Sequence, residues 1–138
     1  MTITWDGVAI GDALPDHASP KVSRHVLALF AGASGDHNPM HVDSDFAKSA
    51  GMDDVFAHGM LSMAYLAQLL IHWVPQAQIR GWGARFLAIT PVNATVICTG
   101  RIVDKFEADG ERRVRIEIGA HTDAGTHTLA GDAVIALP

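Results

Sequence analysis

With 138 residues, of which 49% are hydrophobic and 18% charged, the chain is long and apolar enough to bury a core, which excludes a disordered protein. The formal net charge is -5, from ten Lys and Arg against fifteen Asp and Glu. No basic run is present, which argues against a nucleic-acid partner. We therefore expect one domain over residues 1–138.

The N-terminal segment carries loop signals and no targeting signal. Residues 1–12 lack a basic region followed by an apolar core, so no signal peptide is expected. Residues 11–20 are dense in Gly, Pro and Asp, which predicts a loop. A single cysteine, Cys98, excludes an intrachain disulfide and fits a reducing compartment. A cytoplasmic location is the expectation.

Two helices are predicted ahead of the most apolar segment. Ser23 is suited to cap a helix over 23–34, whose apolar residues recur at helical spacing and which should end near Gly35. A shorter helix is predicted over 44–50, capped by the Asp or Ser at its start and stopped by Gly51.

The strongest helix is predicted over residues 59–74, and Pro75 ends it. It is apolar nearly all round, which is typical of a helix buried on most faces. It is shorter than the roughly 20 residues that a bilayer span needs, so no membrane association is expected. Met60, Met63 and Tyr65 are expected to be core side chains rather than a substrate gate.

After this helix the pattern changes to strands. Val114, Ile116 and Ile118 alternate with charged residues, which is the period of a strand with one buried face. Asp109-Gly110 and the segment 123–125 are turn signals of antiparallel hairpins. The predicted strands are 80–89, 94–103, 112–120 and 127–137. A sheet with one apolar face must cover it, so we predict an α+β domain whose curved antiparallel sheet wraps around the 59–74 helix.

The stretch SGDHNPMHVD, residues 34–43, concentrates ionisable groups in a segment without helical or strand periodicity. The Asn38-Pro39 pair predicts a turn, because the proline biases the preceding residue toward extended geometry. Such a turn allows Asp36 and His41 to point the same way. Imidazole titrates near neutrality, and a carboxylate beside it makes a pair that can both remove and deliver a proton. The turn is therefore a candidate acid/base site.

A second feature is AHGMLSM, residues 57–63, where a loop meets the apolar helix. The first amides of a helix have no partner within the helix and carry the positive end of its dipole. A glycine at that position lets a ligand oxygen approach the backbone. Gly59 is thus a candidate oxyanion donor for a carbonyl that becomes enolate-like.

Together these two features resemble the MaoC-like (R)-specific enoyl-CoA hydratase/dehydratase family, which has the hot-dog fold. SGDHNPMH matches the family's D-x-N-P-x-H core, and FAHGML matches its H-G-M block. RFLAITPV resembles its R-F-x-x-P-V strand, with four residues between Phe86 and Pro91 where that pattern has two. GDALP is similar to the family's opening. The resemblance covers most of the chain.

The resemblance implies roles for four residues. Asp36 and His41 would be the catalytic pair that holds the water added to, or lost from, the β-carbon of an acyl thioester. The Gly59 N–H would bind the thioester oxygen. Asn38 would support the turn. His58, to which the resemblance gives no role here, is expected to pack against or orient the loop, without chemistry of its own. The substrates implied are trans-2-enoyl and (R)-3-hydroxyacyl thioesters of CoA or acyl carrier protein, and no metal or redox cofactor is implied.

Two other functions and several assemblies stay open on the sequence alone. Hot-dog proteins also hydrolyse thioesters, although the paired Asp36 and His41 favour hydration. The second alternative is a non-catalytic partner chain, because some family members are heterodimers in which only one subunit carries the pair. The presence of both residues here favours the active subunit and leaves a partner chain open. The resemblance also implies a dimer whose acyl pocket lies between two chains, and an open sheet edge favours pairing. We expect a homodimer or larger homo-oligomer.

Purely structural roles compete with each of these assignments. Asp36 could cap a turn, His41 could be a buried and satisfied histidine, and Gly59 could be a tight loop-to-helix joint. His37 and His41 have metal-ligand spacing, but the proline between them prevents helical geometry, so no metal site is predicted. Cys98 is expected to be an inert core thiol.

Overall fold

A computed structural model describes residues 1–138. The elements in chain order are β1 (His17–Ala18), α1 (Arg24–Ser34), a 3-10 turn (Pro39–His41), α2 (Ser44–Ser49), α3 (Gly59–Trp73), a second 3-10 turn (Gln76–Gln78), β2 (Ile79–Phe86), β3 (Val96–Ala108), β4 (Glu111–Thr122) and β5 (His127–Ala136). The three helices all precede the four long strands, as the sequence predicts. No helix is long and apolar enough to cross a bilayer.

Side-chain and glycine caps set the bounds of the first helix. The Ser23 hydroxyl accepts from the backbone N–H of Val26, which satisfies one of the free amides of the first turn. At the other end Gly35 has a φ of +77°, and its N–H donates to the carbonyl of Ala31. α2 starts in the same way, because the Asp43 carboxylate accepts from two of its first amides. Both predicted helices are confirmed.

All the strands lie in one antiparallel sheet in the order β1-β3-β4-β5-β2. The β3–β4 hairpin turns at Asp109 and Gly110, which have φ values of +52° and +74°, the left-handed pair that a tight hairpin needs. Along β4, Val114, Ile116 and Ile118 are buried while the charged residues between them are not. The α+β architecture predicted from the sequence is confirmed.

α3 packs on the apolar face of this sheet against β1 to β4. Leu66, Leu69 and Leu70 are almost completely buried against the strands, and Tyr65 is buried beside them. The prediction that the helix is buried on most faces is wrong for its outer side, where Met60 is 58% exposed and Ile71 is exposed too. An apolar stripe therefore remains on the surface, because the sheet covers only one side of α3.

The predicted strand over 80–89 extends too far. β2 ends at Phe86, and Leu87 and Ile89 lie in an exposed segment beyond it. The chain leaves the sheet there because it pairs with the segment before α3 instead. The Ala57 N–H donates to the Thr90 carbonyl, and Phe56 forms a bridge with Pro91.

Two edges of the sheet differ in how they are covered. The sequence does not predict β1, because a strand of two residues is too short to show a period. These two residues pair with Cys98 and Ile97 of β3. Further along, the Leu14 N–H donates to the Gly100 carbonyl, so the N-terminal segment shields β3. β2 pairs with β5 on one side only. Its outer edge offers free backbone groups, which are prone to pair with another strand.

Cys98 is completely buried in β3. Burial raises the pKa of its thiol to about 12, so the sulfur stays protonated and poorly nucleophilic at neutral pH. The prediction of an inert core thiol is confirmed.

Candidate active site

The turn after α1 is built by its own side chains. Asn38 has φ and ψ of -56° and 122°, the extended geometry that a following proline imposes. Its side-chain oxygen accepts from the Met40 N–H at 3.1 Å, and Asp36 Oδ1 accepts from the Asn38 N–H at 3.2 Å. Asp36 is therefore a turn cap through one carboxylate oxygen, and this leaves Oδ2 free for another partner.

The second oxygen of Asp36 faces His41. Oδ2 lies 3.9 Å from His41 Nε2, with the Asp36 side chain 51% exposed and that of His41 9% exposed. His41 Nδ1 is 2.7 Å from the Phe56 carbonyl oxygen. Because a carbonyl oxygen only accepts, Nδ1 carries the proton, and a neutral His41 presents its lone pair at Nε2. The structure thus brings together the two residues predicted to form the pair.

With His41 in its neutral form, this arrangement places two acceptors opposite each other. A carboxylate oxygen and an unprotonated imidazole nitrogen 3.9 Å apart have no proton to share directly. A water molecule has two O–H groups and could donate one to each. The pair is therefore suited to hold a water molecule and to take a proton from it, and Asp36 lies at the solvent side of the pair.

Gly59 is the first residue of α3, and His58 precedes it as the N-cap residue. The N–H of Gly59 belongs to the first turn, and no carbonyl or side chain of the chain accepts a hydrogen bond from it. A Cβ built on Gly59 would lie 2.9 Å from Cε1 of Phe86. A side chain at this position would therefore displace the Phe86 ring, which is 54% exposed, whereas glycine leaves the ring in place and the amide open to an oxyanion.

His58 has a larger part in the site than its neighbours in sequence suggest. It is 1% exposed, its Nε2 lies 3.1 Å from the Asp36 carbonyl oxygen, and its ring stacks on that of His41 with centroids 4.0 Å apart. Burial lowers the pKa of His58, and the neighbouring His41 lowers it further. His58 is therefore neutral near pH 7. The H-G-M block marks His58 and the sequence predicts that it packs against or orients the loop, but its 22-residue separation from Asp36 does not show which atom it contacts.

A cavity of about 370 Å³ opens beside Gly59. Its wall is mainly apolar and includes Phe56, Phe86 and Ile89, and the hydroxyls of Ser62 and Thr90 lie 3.3 Å apart within it. Asp36 and His41 are not part of this wall. Phe56 connects the cavity to the Asp36–His41 pair, because its carbonyl oxygen accepts a hydrogen bond from His41 and the residue also lines the cavity. Gly59 lines the cavity as well.

One set of side chains has the composition of a metal site. Donor atoms of Asp36, His41 and His58 lie within 4.8 Å of one another. The nitrogen His58 offers on the Asp36 side is already hydrogen-bonded to a carbonyl, as is Nδ1 of His41. His37, which the sequence raised as a possible ligand, is exposed and is not in this set.

Comparison with known proteins adds three findings. The family model described as "MaoC like domain" matches residues 7–124. An (R)-specific enoyl-CoA hydratase of Rhodospirillum rubrum is 31% identical over 123 residues, which are 85% of this chain and 81% of that protein. The solved structure of unliganded R-hydratase PhaJ1 from Pseudomonas aeruginosa superposes with a TM-score of 0.86 at 26% identity, covering 99% of this chain and 86% of that one.

A longer protein also contains a similar segment. The fatty acid synthase subunit beta of Saccharomyces cerevisiae is 30% identical over 101 residues, which are 65% of this chain. The match spans only 5% of the length of that yeast protein. The likeness is therefore to one segment of a much larger enzyme.

Proposed function

The chain belongs to the MaoC-like domain family and has its hot-dog fold, and on this premise we propose that it is a hydro-lyase of acyl thioesters. It adds water across the α,β double bond of a trans-2-enoyl thioester of CoA or acyl carrier protein, or removes it from the (R)-3-hydroxyacyl product. The observation that carries the proposal is the 3.9 Å separation of Asp36 Oδ2 and His41 Nε2.

In the proposed hydration the pair accepts a proton from its bound water as the water oxygen bonds to Cβ. The π electrons of the double bond move toward the carbonyl, so negative charge develops on the thioester oxygen. The pair then returns one proton to Cα, the carbonyl re-forms, and both side chains are restored. The net change is the addition of one water molecule. Each positioned proton-transfer group is typically worth about 10²–10⁴ in rate.

The thioester oxygen is assigned to the N–H of Gly59. This amide has no partner in the chain and lies at the positive end of a 15-residue helix, where a developing negative charge is stabilised. The apolar cavity beside Gly59 would receive the part of the substrate next to the thioester. Asn38 and His58 take supporting roles in this assignment.

The reaction needs proton transfer and charge stabilisation, and the residues above supply both. We therefore propose that no metal or redox cofactor takes part. The carrier, CoA or acyl carrier protein, arrives as part of the substrate.

We propose that the active assembly contains at least two chains, and we favour identical chains over two different subunits. One support is the free outer edge of β2. The other is a set of exposed apolar side chains that border the cavity, Phe86 at the end of β2 and Leu87 and Ile89 beyond it. Edge-to-edge pairing on a two-fold axis would bury these groups and complete the cavity wall.

The experiment that tests the function uses purified protein with crotonyl-CoA and longer trans-2-enoyl-CoAs. Loss of the enoyl absorbance and formation of the (R)-3-hydroxy product are expected, with no release of free thiol. Release of free CoA without hydration would replace the proposal with a thioesterase. No reaction by the chain alone, restored by adding a second subunit, would point to a heterodimeric enzyme.

A further inference from the structure

His58 contacts each of the three parts to which the proposed chemistry is assigned. Its backbone directly precedes Gly59 at the start of α3. Its Nε2–H donates to the backbone carbonyl of Asp36 at 3.1 Å, and its ring stacks on that of His41 at 4.0 Å and 28°. Phe30 packs edge-on against the ring at 4.8 Å.

The hydrogen bonding of His58 is only half satisfied. The carbonyl of Asp36 accepts from Nε2, so Nδ1 of the neutral ring carries the lone pair, and Nδ1 is buried without a partner. A buried polar atom without a partner destabilises the folded state, whereas an aromatic hydrocarbon could fill the same space between Phe30 and His41 without that cost. Packing alone therefore does not account for an imidazole here, and the Nε2 donor is the feature that a hydrocarbon lacks.

We propose that His58 is a positioning residue that fixes the spacing between the Gly59 amide and the Asp36–His41 pair. The inference rests on the proposed function. In an enoyl thioester the carbonyl oxygen and Cβ are held at a set separation by the conjugated chain. The oxyanion donor and the water-holding pair must match that separation, yet they belong to different segments. The His58–Asp36 hydrogen bond ties the turn to the start of α3, and the stacked ring holds His41 against both.

The test compares three variants with the unaltered protein. His58→Phe keeps an aromatic ring for stacking but has no donor. His58→Gln has a side-chain amide that can replace the Nε2–H. Ile102→Val, a buried change in β3 far from these contacts, controls for a general loss of stability. Melting temperature and circular dichroism establish folding, and His58→Leu replaces the phenylalanine variant if that one does not fold.

Kinetics give the first readout. For His58→Phe we expect kcat to fall by about 10²-fold, the effect of a misplacement near 1 Å, with KM changed by less than roughly threefold. We expect His58→Gln to recover at least about tenfold of that loss, and Ile102→Val to keep kcat within about twofold. A phenylalanine variant with near-normal kcat, or a glutamine variant as slow as the phenylalanine variant, would overturn the proposal.

Nitrogen NMR of histidine-labelled protein gives a readout that does not depend on activity. The unaltered protein should show His58 protonated at Nε2, and His41 should carry a proton at Nδ1. In His58→Phe the His41 signals should shift or broaden as the ring loses its fixed position. If the unaltered protein hydrates no enoyl thioester, the proposed function fails while this measurement still decides the positioning role. Unchanged His41 signals in the phenylalanine variant would refute it.

Discussion

The ring of Phe86 occupies the space that a side chain on Gly59 would need, with Cε1 2.9 Å from the position of an added Cβ. Phe86 ends β2 and Gly59 begins α3, so this contact joins the sheet to the proposed oxyanion donor. It also means that a simple substitution at Gly59 tests packing and catalysis together. A sharper experiment separates the two.

The first prediction uses two double variants that both relieve the clash, Gly59→Ala with Phe86→Ala and Gly59→Pro with Phe86→Ala. Proline is tolerated at the first position of a helix, and the extended geometry of His58 suits a residue before proline. The two double variants therefore differ in whether residue 59 carries a backbone N–H. We expect the proline variant to turn over about 10²–10³ times more slowly than the alanine variant. Equal rates in two folded variants would place the oxyanion elsewhere.

The second prediction concerns the proton-transfer pair. Asp36→Asn keeps the oxygen that caps the turn, and His41→Asn can keep the donor to the Phe56 carbonyl, so both variants should fold. Each should lower kcat for hydration by about 10²–10⁴. Asp43→Asn, which neutralises another capping carboxylate, at α2, serves as the control and should stay within about twofold. Near-native turnover by either site variant contradicts the assignment.

The third prediction concerns assembly. Light scattering should give a dimer or larger species, and Leu87→Asp, at an exposed apolar side chain beyond β2, should shift it toward monomer with loss of activity. Val103→Asp, at an exposed apolar side chain of β3, should do neither. A monomer that is fully active at low concentration would refute the shared pocket.

The fourth prediction concerns stability in acid. Hydrogen bonds from Arg80 and Arg113 lower the pKa of Glu111 from its ordinary 4.5 to about 2. The folded-state pKa lies below the unfolded one, so the stabilisation is complete above about 4.5 and is lost as the pH falls toward 2. Glu111→Gln should therefore lower the melting temperature at pH 7, and the gap to the unaltered protein should narrow below pH 4.5. Glu107→Gln, at an exposed carboxylate, is the control. A gap independent of pH would exclude this linkage.

The fifth prediction is that metal removal leaves hydration unchanged. Dialysis against a chelator, with metal content measured before and after, should not alter kcat, because proton transfer by Asp36 and His41 needs no Lewis acid. Loss of activity that returns with a divalent cation would instead assign the donor set of Asp36, His41 and His58 to a metal.

Local signals account for what the sequence predicted correctly. Ser23 and Gly35 delimit α1 through contacts within a few residues, and the alternation in β4 reflects one buried face. The turn around Asn38 is likewise encoded by its own side chain and the following proline. The sequence therefore predicts that Asp36 and His41 lie close together, because this turn is short and its geometry is restricted.

Contacts between distant segments account for what could not be predicted. β1 exists only because two residues meet β3, and β2 ends where Thr90 and Pro91 pair with the segment before α3. The protonated nitrogen of His41 is fixed by the carbonyl of Phe56, and the place of His58 by the carbonyl of Asp36. The H-G-M block marks His58, but no period or motif in the sequence shows which partner atoms these segments meet.

The residues assigned to the chemistry all lie in one uninterrupted stretch, residues 36–59, which ends where α3 begins. The cavity wall comes mostly from outside it, from the segment after β2 and from β5. Under the proposed function, the residues that carry out the reaction and most of those that would contact the substrate therefore lie in different parts of the sequence. Residues 86–90 could be exchanged for those of a relative, to change which thioesters are accepted, while the groups that move protons stay in place.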